Sequence, residues 1–322
     1  MLQTFEMSCS TPVIFLIFCR PDLTARVFEA IRQAQPPELI VIADGPRNEQ
    51  EADLCKQARA ITENIDWNCN VMRNYANVNL GCRDRISSGL TWAFKQVEEA
   101  IILEDDCLPD PSFFEYCDVL LEQYRSDKRV MVVSGNNFQN GQRRTSYSYY
   151  FSKYNHCWGW ATWRRAWEYW GFSPKKWLEF RDAGLLASVC GTTEEFYYWT
   201  NIFNTLFLEN KPDTWDYVWT FACWAQSGLT VLPSINLVTN IGFDPRATHT
   251  SRISPYANLP VGNIGEIIHP PFVLQHQKAD QYTFETVFKV KKSRGASVLA
   301  SKIRKRLSTF KGEKVNGYKS FN

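Results

Sequence analysis

Through the first half of the chain, short apolar runs alternate with stretches whose apolar residues recur every three or four positions, a rhythm that predicts an α/β sheet. The runs "PVIFLIFC" (12–19), "ELIVIADG" (38–45), "NCNVMRNY" (68–75), "EAIILEDD" (99–106) and "RVMVVSG" (129–135) read as strands. Most are apolar throughout, as strands covered by helices on both faces must be. Between them, Asp22 is placed to cap "LTARVFEAIRQA", and Asp110 followed by Pro111 reads as an N-cap with proline at the first helical position. Ile86, Leu90, Phe94 and Val97 form a stripe at helical spacing, so the helix after Gly81 should lay one face on the sheet. There is no internal repeat and no low-complexity segment.

The texture changes from about residue 138. Ten of the twelve tryptophans fall between Trp158 and Trp224. Rings at helical spacing are mostly core, although an aromatic wall could also stack on the flat C–H faces of a sugar. After about residue 256 the pattern becomes irregular, and ten basic residues lie between Lys289 and Lys314. There Leu299, Ile303, Leu307 and Phe310 share one helical face, which fits either a solvated terminal helix or attachment to an anionic membrane surface.

The 322 residues, 44% of them hydrophobic, are ample for a packed core. A formal charge of +2, with no zinc-finger spacing, gives no case for a nucleic-acid partner. The apolar stretch at 12–19 is too short to span a bilayer, and no basic start or small-residue cleavage pattern marks a signal peptide. The ten cysteines are scattered without CxxC spacing, and no N-x-[ST] sequon occurs. Reduced thiols in a cytoplasmic protein, with a peripheral position on the inner face of the membrane as the alternative, are therefore the expectation.

Polar groups collect where the predicted strands end. Arg20 follows the first, Asp44 and Gly45 end the second, and Glu104, Asp105 and Asp106 end the fourth. In an open α/β sheet, ligands bind outside these carboxyl ends. Two carboxylates ~4 Å apart repel by about 4 kcal/mol at the effective dielectric of a protein surface, so such a cluster needs a cation, a proton or free water. Alternation along a strand would send Glu104 and Asp106 to one side and Asp105 to the other. Oxygen ligands of this kind suit Mg²⁺ or Mn²⁺.

The stretch "ILEDDCLPDPSFFEYC" resembles the segment carrying the DXD-type motif of GT-A glycosyltransferases, nearest to the inverting N-acetylglucosaminyltransferase I type. "FCRPDLTARVFEAI", "ADGPR" and "NLGCRDRISSGLTWAF" resemble the donor-binding strand ends of bacterial members, so the resemblance spans roughly residues 12–250. It implies a Rossmann-like GT-A domain over 1–255, with a donor half at about 12–138 and an aromatic-rich acceptor half at 139–255, followed by a basic tail at 256–322. The implied activity is inverting, metal-dependent transfer from a nucleotide-diphosphate sugar to a hydroxyl of a glycan or lipid-linked acceptor, with UDP-N-acetylglucosamine as the first guess. Asp106 would bind the metal, Glu104 and Asp105 would place sugar and ribose, Asp44 would read the base, and Arg20 and Arg83 would lie near the diphosphate.

An inverting enzyme needs a base for the acceptor hydroxyl. "DTWDYVW" offers Asp213 and Asp216, and Asp216 is preferred, since it lies inside an aromatic run and the resembled family places its base after a tryptophan here. Glu194 and Glu195 are the reserves. His249, in "NIGFDPRATHT", is a candidate to reach back to the metal or diphosphate, as late histidines in related transferases do, and His156 a candidate for the acceptor side. Other readings are a carbohydrate-binding protein with a structural metal, or a metal-dependent phosphohydrolase. The latter would want an aspartate where Arg20 stands. A nucleotidyltransferase would be expected to carry a glycine-rich loop after the first strand, and "FCRPDL" has no glycine.

Overall fold

The computed structural model describes residues 9–243 and 255–289. The chain divides into two compact units, Met1–Asp280 and Gln281–Asn322. In the second, the described residues include a π-helical turn at Phe284–Phe288.

The first unit opens with β1 (Val13–Ile17), α1 (Pro21–Ala34), β2 (Glu38–Ala43), α2 (Glu49–Ile61), β3 (Asn70–Tyr75), α3 (Cys82–Ala93) and β4 (Glu99–Glu104). There follow β5 (Cys107–Pro109), α4 (Ser112–Tyr124), β6 (Val130–Ser134), β7 (Tyr149–Ser152) and β8 (Trp160–Trp163). The aromatic-rich stretch then forms α5 (Arg164–Trp167), α6 (Pro174–Asp182), α7 (Leu186–Val189), α8 (Thr193–Leu208) and α9 (Asp216–Ala225), before β9 (Leu229–Pro233) and β10 (Val238–Asn240). All five strands expected from the apolar runs are present, as β1, β2, β3, β4 and β6.

Eight strands make one sheet in the order β3-β2-β1-β4-β8-β6-β9-β7. Only β7 and β8 run against the others, so the sheet is mostly parallel and Rossmann-like. The chain winds outward from β1 through β2 to β3, then returns to β4 on the other side of β1. That reversal opens a crevice outside the carboxyl ends of β1 and β4, where α/β sheets place ligands.

β1 is buried along its whole length. Val13, Phe15 and Ile17 join Val27, Phe28 and Ile31 of α1 and Leu120 and Leu121 of α4 in one core. Each such side chain contributes about 1.5–3 kcal/mol relative to exposure. The stripe of Ile86, Leu90, Phe94 and Val97 is buried as expected. Asp110 Oδ1 accepts from the Ser112 amide at 2.9 Å, but α4 starts one residue later than expected, at Ser112, so Pro111 and not Asp110 stands at the N-cap. Asp22 does not cap α1, which starts at Pro21, two residues before the expected Leu23, and so places Asp22 inside the first turn.

The aromatic half is itself core. Eight of the ten clustered tryptophans are buried, leaving Trp158 and Trp170 half-buried. Trp160 stacks on Trp215 at 5.4 Å between centroids, and Trp177, Phe203 and Phe207 pack on Phe221 of α9. All ten cysteines are free thiols. Among the described residues no helix is long and apolar enough to cross a membrane.

Candidate active site

The acid cluster sits at the crevice between β1 and β4. β4 ends at Glu104, and the chain turns through Asp105 and Asp106 before β5. The alternation expected of a continuing strand is therefore lost, and Asp105 and Asp106 both meet the same guanidinium. Arg20 Nη1 lies 2.9 Å from Asp106 Oδ2, and Arg20 Nη2 pairs with Asp105 Oδ1. The Phe18 amide donates to Asp105 Oδ2 at 3.2 Å. Both aspartates are buried, at 2% and 7% exposure, so the pairing takes place away from bulk water.

The ribbon of β5 and β10 pins this turn from the other side, with the Ile241 amide donating to the Asp106 carbonyl at 2.8 Å. Gly242 lies against the carboxylate so closely that a Cβ there would be 2.2 Å from Asp106 Oδ2. Only glycine leaves that side of the carboxylate its room.

Charge in the cluster is not balanced. Burial first, then Asp106 and Asp105, push the Glu104 carboxyl up to about 8. Burial also raises Asp105, to about 6, against the lowering pull of Arg20. Asp216 acts on Glu104 as well, so this candidate base shares the neighbourhood. Among the described residues, ion pairs join Arg20 to Asp105 and Asp106, and none reaches Glu104 or Asp216. Asp216 is the first residue of α9, half-buried, with Thr214 Oγ1 donating to its Oδ1.

The donor set fits a hard divalent cation in one particular way. Among the described residues no three His, Cys, Asp or Glu groups are arranged to hold a metal ion. One or two carboxylates with spare negative charge are present, which is how Mg²⁺ is held when substrate phosphates complete its shell. Asp106, with Glu104 or Asp105, would hold such an ion. His249 lies outside the described residues.

The remaining sequence candidates are engaged elsewhere. Asp44 Oδ1 accepts from the amides of Gly45 at 2.8 Å and Leu80 at 2.9 Å, and Oδ2 accepts from Asn79 Nδ2 at 2.9 Å. This carboxylate staples β2 to the loop before α3, and burial pushes it up. Gly45 lets the two backbones touch, since a Cβ there would come within 2.4 Å of the Val78 carbonyl carbon. Asp213 Oδ2 accepts from the Cys82 amide at 3.0 Å and so caps α3. Arg83 pairs with Asp84 at 3.0 Å, reaches Asn210, and covers the Phe172 ring at 4.6 Å. Glu195 is buried in an ion pair with Lys153 at 2.7 Å and accepts from Tyr154 Oη and from the Gly191 amide. Glu194 is exposed in the first turn of α8. His156 is buried, and desolvation lowers its imidazole to about 3, so it is neutral at physiological pH.

Three thiols were not singled out by sequence reasoning. Cys82 and Cys157 each feel both Glu104 and Asp216, and Cys107 Sγ lies 3.5 Å from Asp106 Oδ1. Burial raises all three thiols, so they are protonated walls and not nucleophiles. Adjacency to "EDD" marks Cys107 in the sequence; nothing local marks Cys157. Arg85 was also missed. It is buried, donates to the Ala43 carbonyl at 3.1 Å and to Asn74 Oδ1 at 2.9 Å, and ties the ends of β2 and β3 together.

No protein-family model matches the chain, and no curated protein matches it. Among solved structures, it is similar to a cytidylyltransferase from Leptospira borgpetersenii at 12% identity, covering 63% of this chain and 73% of that one, with a TM-score of 0.30. The inositol-1-phosphate CTP transferase from T. maritima matches at 11% identity over 50% of this chain and 74% of that one, with a TM-score of 0.29. Likeness at this level carries no argument about activity.

Proposed function

We propose that the crevice between β1 and β4 binds a nucleotide-diphosphate sugar and that the protein transfers the sugar, with inversion, to a hydroxyl of a glycan or lipid-linked acceptor. The observation that carries this reading is the convergence of Arg20, Asp105 and Asp106 at a strand-order reversal, with Glu104 and Asp216 in the same electrostatic neighbourhood. Such a crevice suits a ligand that brings both negative phosphate and the cation that accompanies it.

A divalent cation there would neutralise charge on the departing diphosphate. Arg20 holds Asp105 and Asp106 in one orientation and adds a fixed positive group beside the leaving oxygens. Asp216 takes the proton of the attacking hydroxyl. Thr214 donates to its Oδ1 and fixes the side chain, so proton uptake falls to Oδ2. Trp158, half-buried beside Cys157, offers a ring for the sugar face. Asp44 is a poor reader of the base in this reading, because its oxygens already accept from the loop that it staples.

The test is a screen of nucleotide sugars, UDP-N-acetylglucosamine first, with Mn²⁺ or Mg²⁺ and a saccharide acceptor. The reading predicts release of nucleoside diphosphate that depends on the cation and is lost in Asp106→Ala. Formation of pyrophosphate from a nucleoside triphosphate and a sugar phosphate, without diphosphate release from any sugar donor, would contradict it.

A further inference from the structure

The loop that leads into Asp216 is fastened to the start of α3. It runs from Glu209 to Trp215, between α8 and α9. Asp213 Oδ2 accepts from the Cys82 amide at 3.0 Å, and Asn210 Oδ1 accepts from Arg83 Nη1. Two side chains of the loop thus meet two successive residues in the first turn of α3. Gly81 permits the approach: its φ is +82°, and a Cβ there would lie 2.7 Å from Asp213 Oδ2.

The same turn is held from another direction by the end of β2. Asp44 accepts from the Leu80 amide at 2.9 Å and from Asn79 Nδ2 at 2.9 Å. The stretch 79–82 therefore lies between two aspartates, one at the end of β2 and one three residues before Asp216. The Cys82 thiol feels Glu104, Asp216, Asp213 and Asp44, in that order, which puts this turn among the acids of the crevice.

A cap alone needs no such reach. Asn48 caps α2 and Thr192 caps α8 from the N-cap position itself, whereas that position in α3 is Gly81 and the acceptor comes from 131 residues away. What the long-range bond adds is a fixed distance between α3 and the lead into α9. In that lead, Thr214 donates to Asp216 Oδ1, and the buried Trp215 stacks on Trp160 at 5.4 Å. Trp215 sets where α9 begins, and Asp213 sets where the backbone before it, and with it the Thr214 hydroxyl, stands.

We infer that Asp213 is a positioning residue, which through the Cys82 amide holds Thr214 and the Asp216 carboxylate in one setting relative to the crevice. The inference rests on the activity proposed above, in which Asp216 is the base.

Asp213 is exposed, so water replaces it at the Cys82 amide and Asp213→Ala should fold. With the sugar donor that the parent uses, UDP-N-acetylglucosamine tried first, kcat of this variant should fall by at least about tenfold. Its KM for the donor and its Mn²⁺-dependent affinity for UDP should stay within about twofold of the parent. Asp213→Asn keeps an oxygen acceptor and should recover most of the rate. Amide hydrogen exchange, which needs no turnover, should quicken across residues 209–217 in Asp213→Ala and stay unchanged in β1 and β4. A kcat in Asp213→Ala equal to the parent's, a loss confined to KM, no recovery in Asp213→Asn, or unchanged exchange across 209–217 overturns the inference. Where the parent transfers sugar and Asp216→Asn does not, such a result removes the role of Asp213 alone; a parent that releases no nucleoside diphosphate from any sugar donor removes both.

Discussion

Arg20 and Asp106 leave neighbouring parallel strands and meet 2.9 Å apart, with Asp105 on the same guanidinium. Three charged groups 85 and 86 residues apart in sequence are thereby locked at the one place where the strand order reverses. Removing the guanidinium leaves two buried carboxylates facing each other. Arg20→Ala should cost about 2–4 kcal/mol in denaturant unfolding at neutral pH, somewhat below the range of about 3–5 kcal/mol for a broken buried pair because Arg20 is partly exposed. Loss below about 1 kcal/mol would mean that water already screens the cluster.

The Glu104 carboxyl holds its proton to about pH 8 in the folded protein, against 4.5 for the free group. Between those values the folded state binds more protons than the unfolded state, so this group makes stability fall as pH rises. Without divalent cations, Glu104→Gln should match the parent near the lower end of that window and gain steadily toward the upper end, by up to about 1.4 kcal/mol per pH unit. Melting followed across the window measures it, and a difference that does not change with pH would rule out the proton.

Much of this arrangement was legible before any coordinates. Strands β1, β2, β4 and β6 are buried on both faces and announce themselves as unbroken apolar runs. What the pattern could not show is where β4 stops. A strand and a turn can carry the same three acids, and the turn at Asp105 and Asp106 leads into β5, whose partner β10 lies 129 to 133 residues further along the chain. Long-range partners were equally hidden: Asp213 looked like a possible base and is a cap for α3, while Glu195 looked like a reserve base and is the counter-ion of Lys153. The antiparallel β7 and β8 and the buried pairings of the tryptophans also depend on contacts between distant segments, which local periodicity does not encode.

Glu195→Gln keeps the shape of the side chain but leaves the Lys153 ammonium buried without its anion. It should cost about 3–5 kcal/mol in urea unfolding and leave nucleotide binding unchanged. A stable variant that has lost catalysis would return Glu195 to the list of bases.

Gly242→Ala would drive a methyl group to 2.2 Å from Asp106 Oδ2, so the carboxylate or the backbone must move. The expected result is about 1–3 kcal/mol of lost stability from overpacking, together with at least about tenfold weaker cation-dependent nucleotide binding. Unchanged binding would show that Asp106 need not hold its present position.

Asp216→Asn keeps the Thr214 contact and removes the proton acceptor. Binding of the donor should persist while transfer falls by at least about a hundredfold, the usual contribution of a general base. Single-turnover rates measured beside donor affinity separate the two effects, and full activity would move the base elsewhere.

The central claim is that the crevice between β1 and β4 takes a nucleoside diphosphate together with a divalent cation. Calorimetric titration of UDP into the full chain, with and without Mn²⁺, for the parent and for Asp106→Ala, tests it most directly. The account predicts affinity that rises with Mn²⁺ in the parent and no such rise in the variant; equal affinity in all four titrations, or no binding in any, would contradict it.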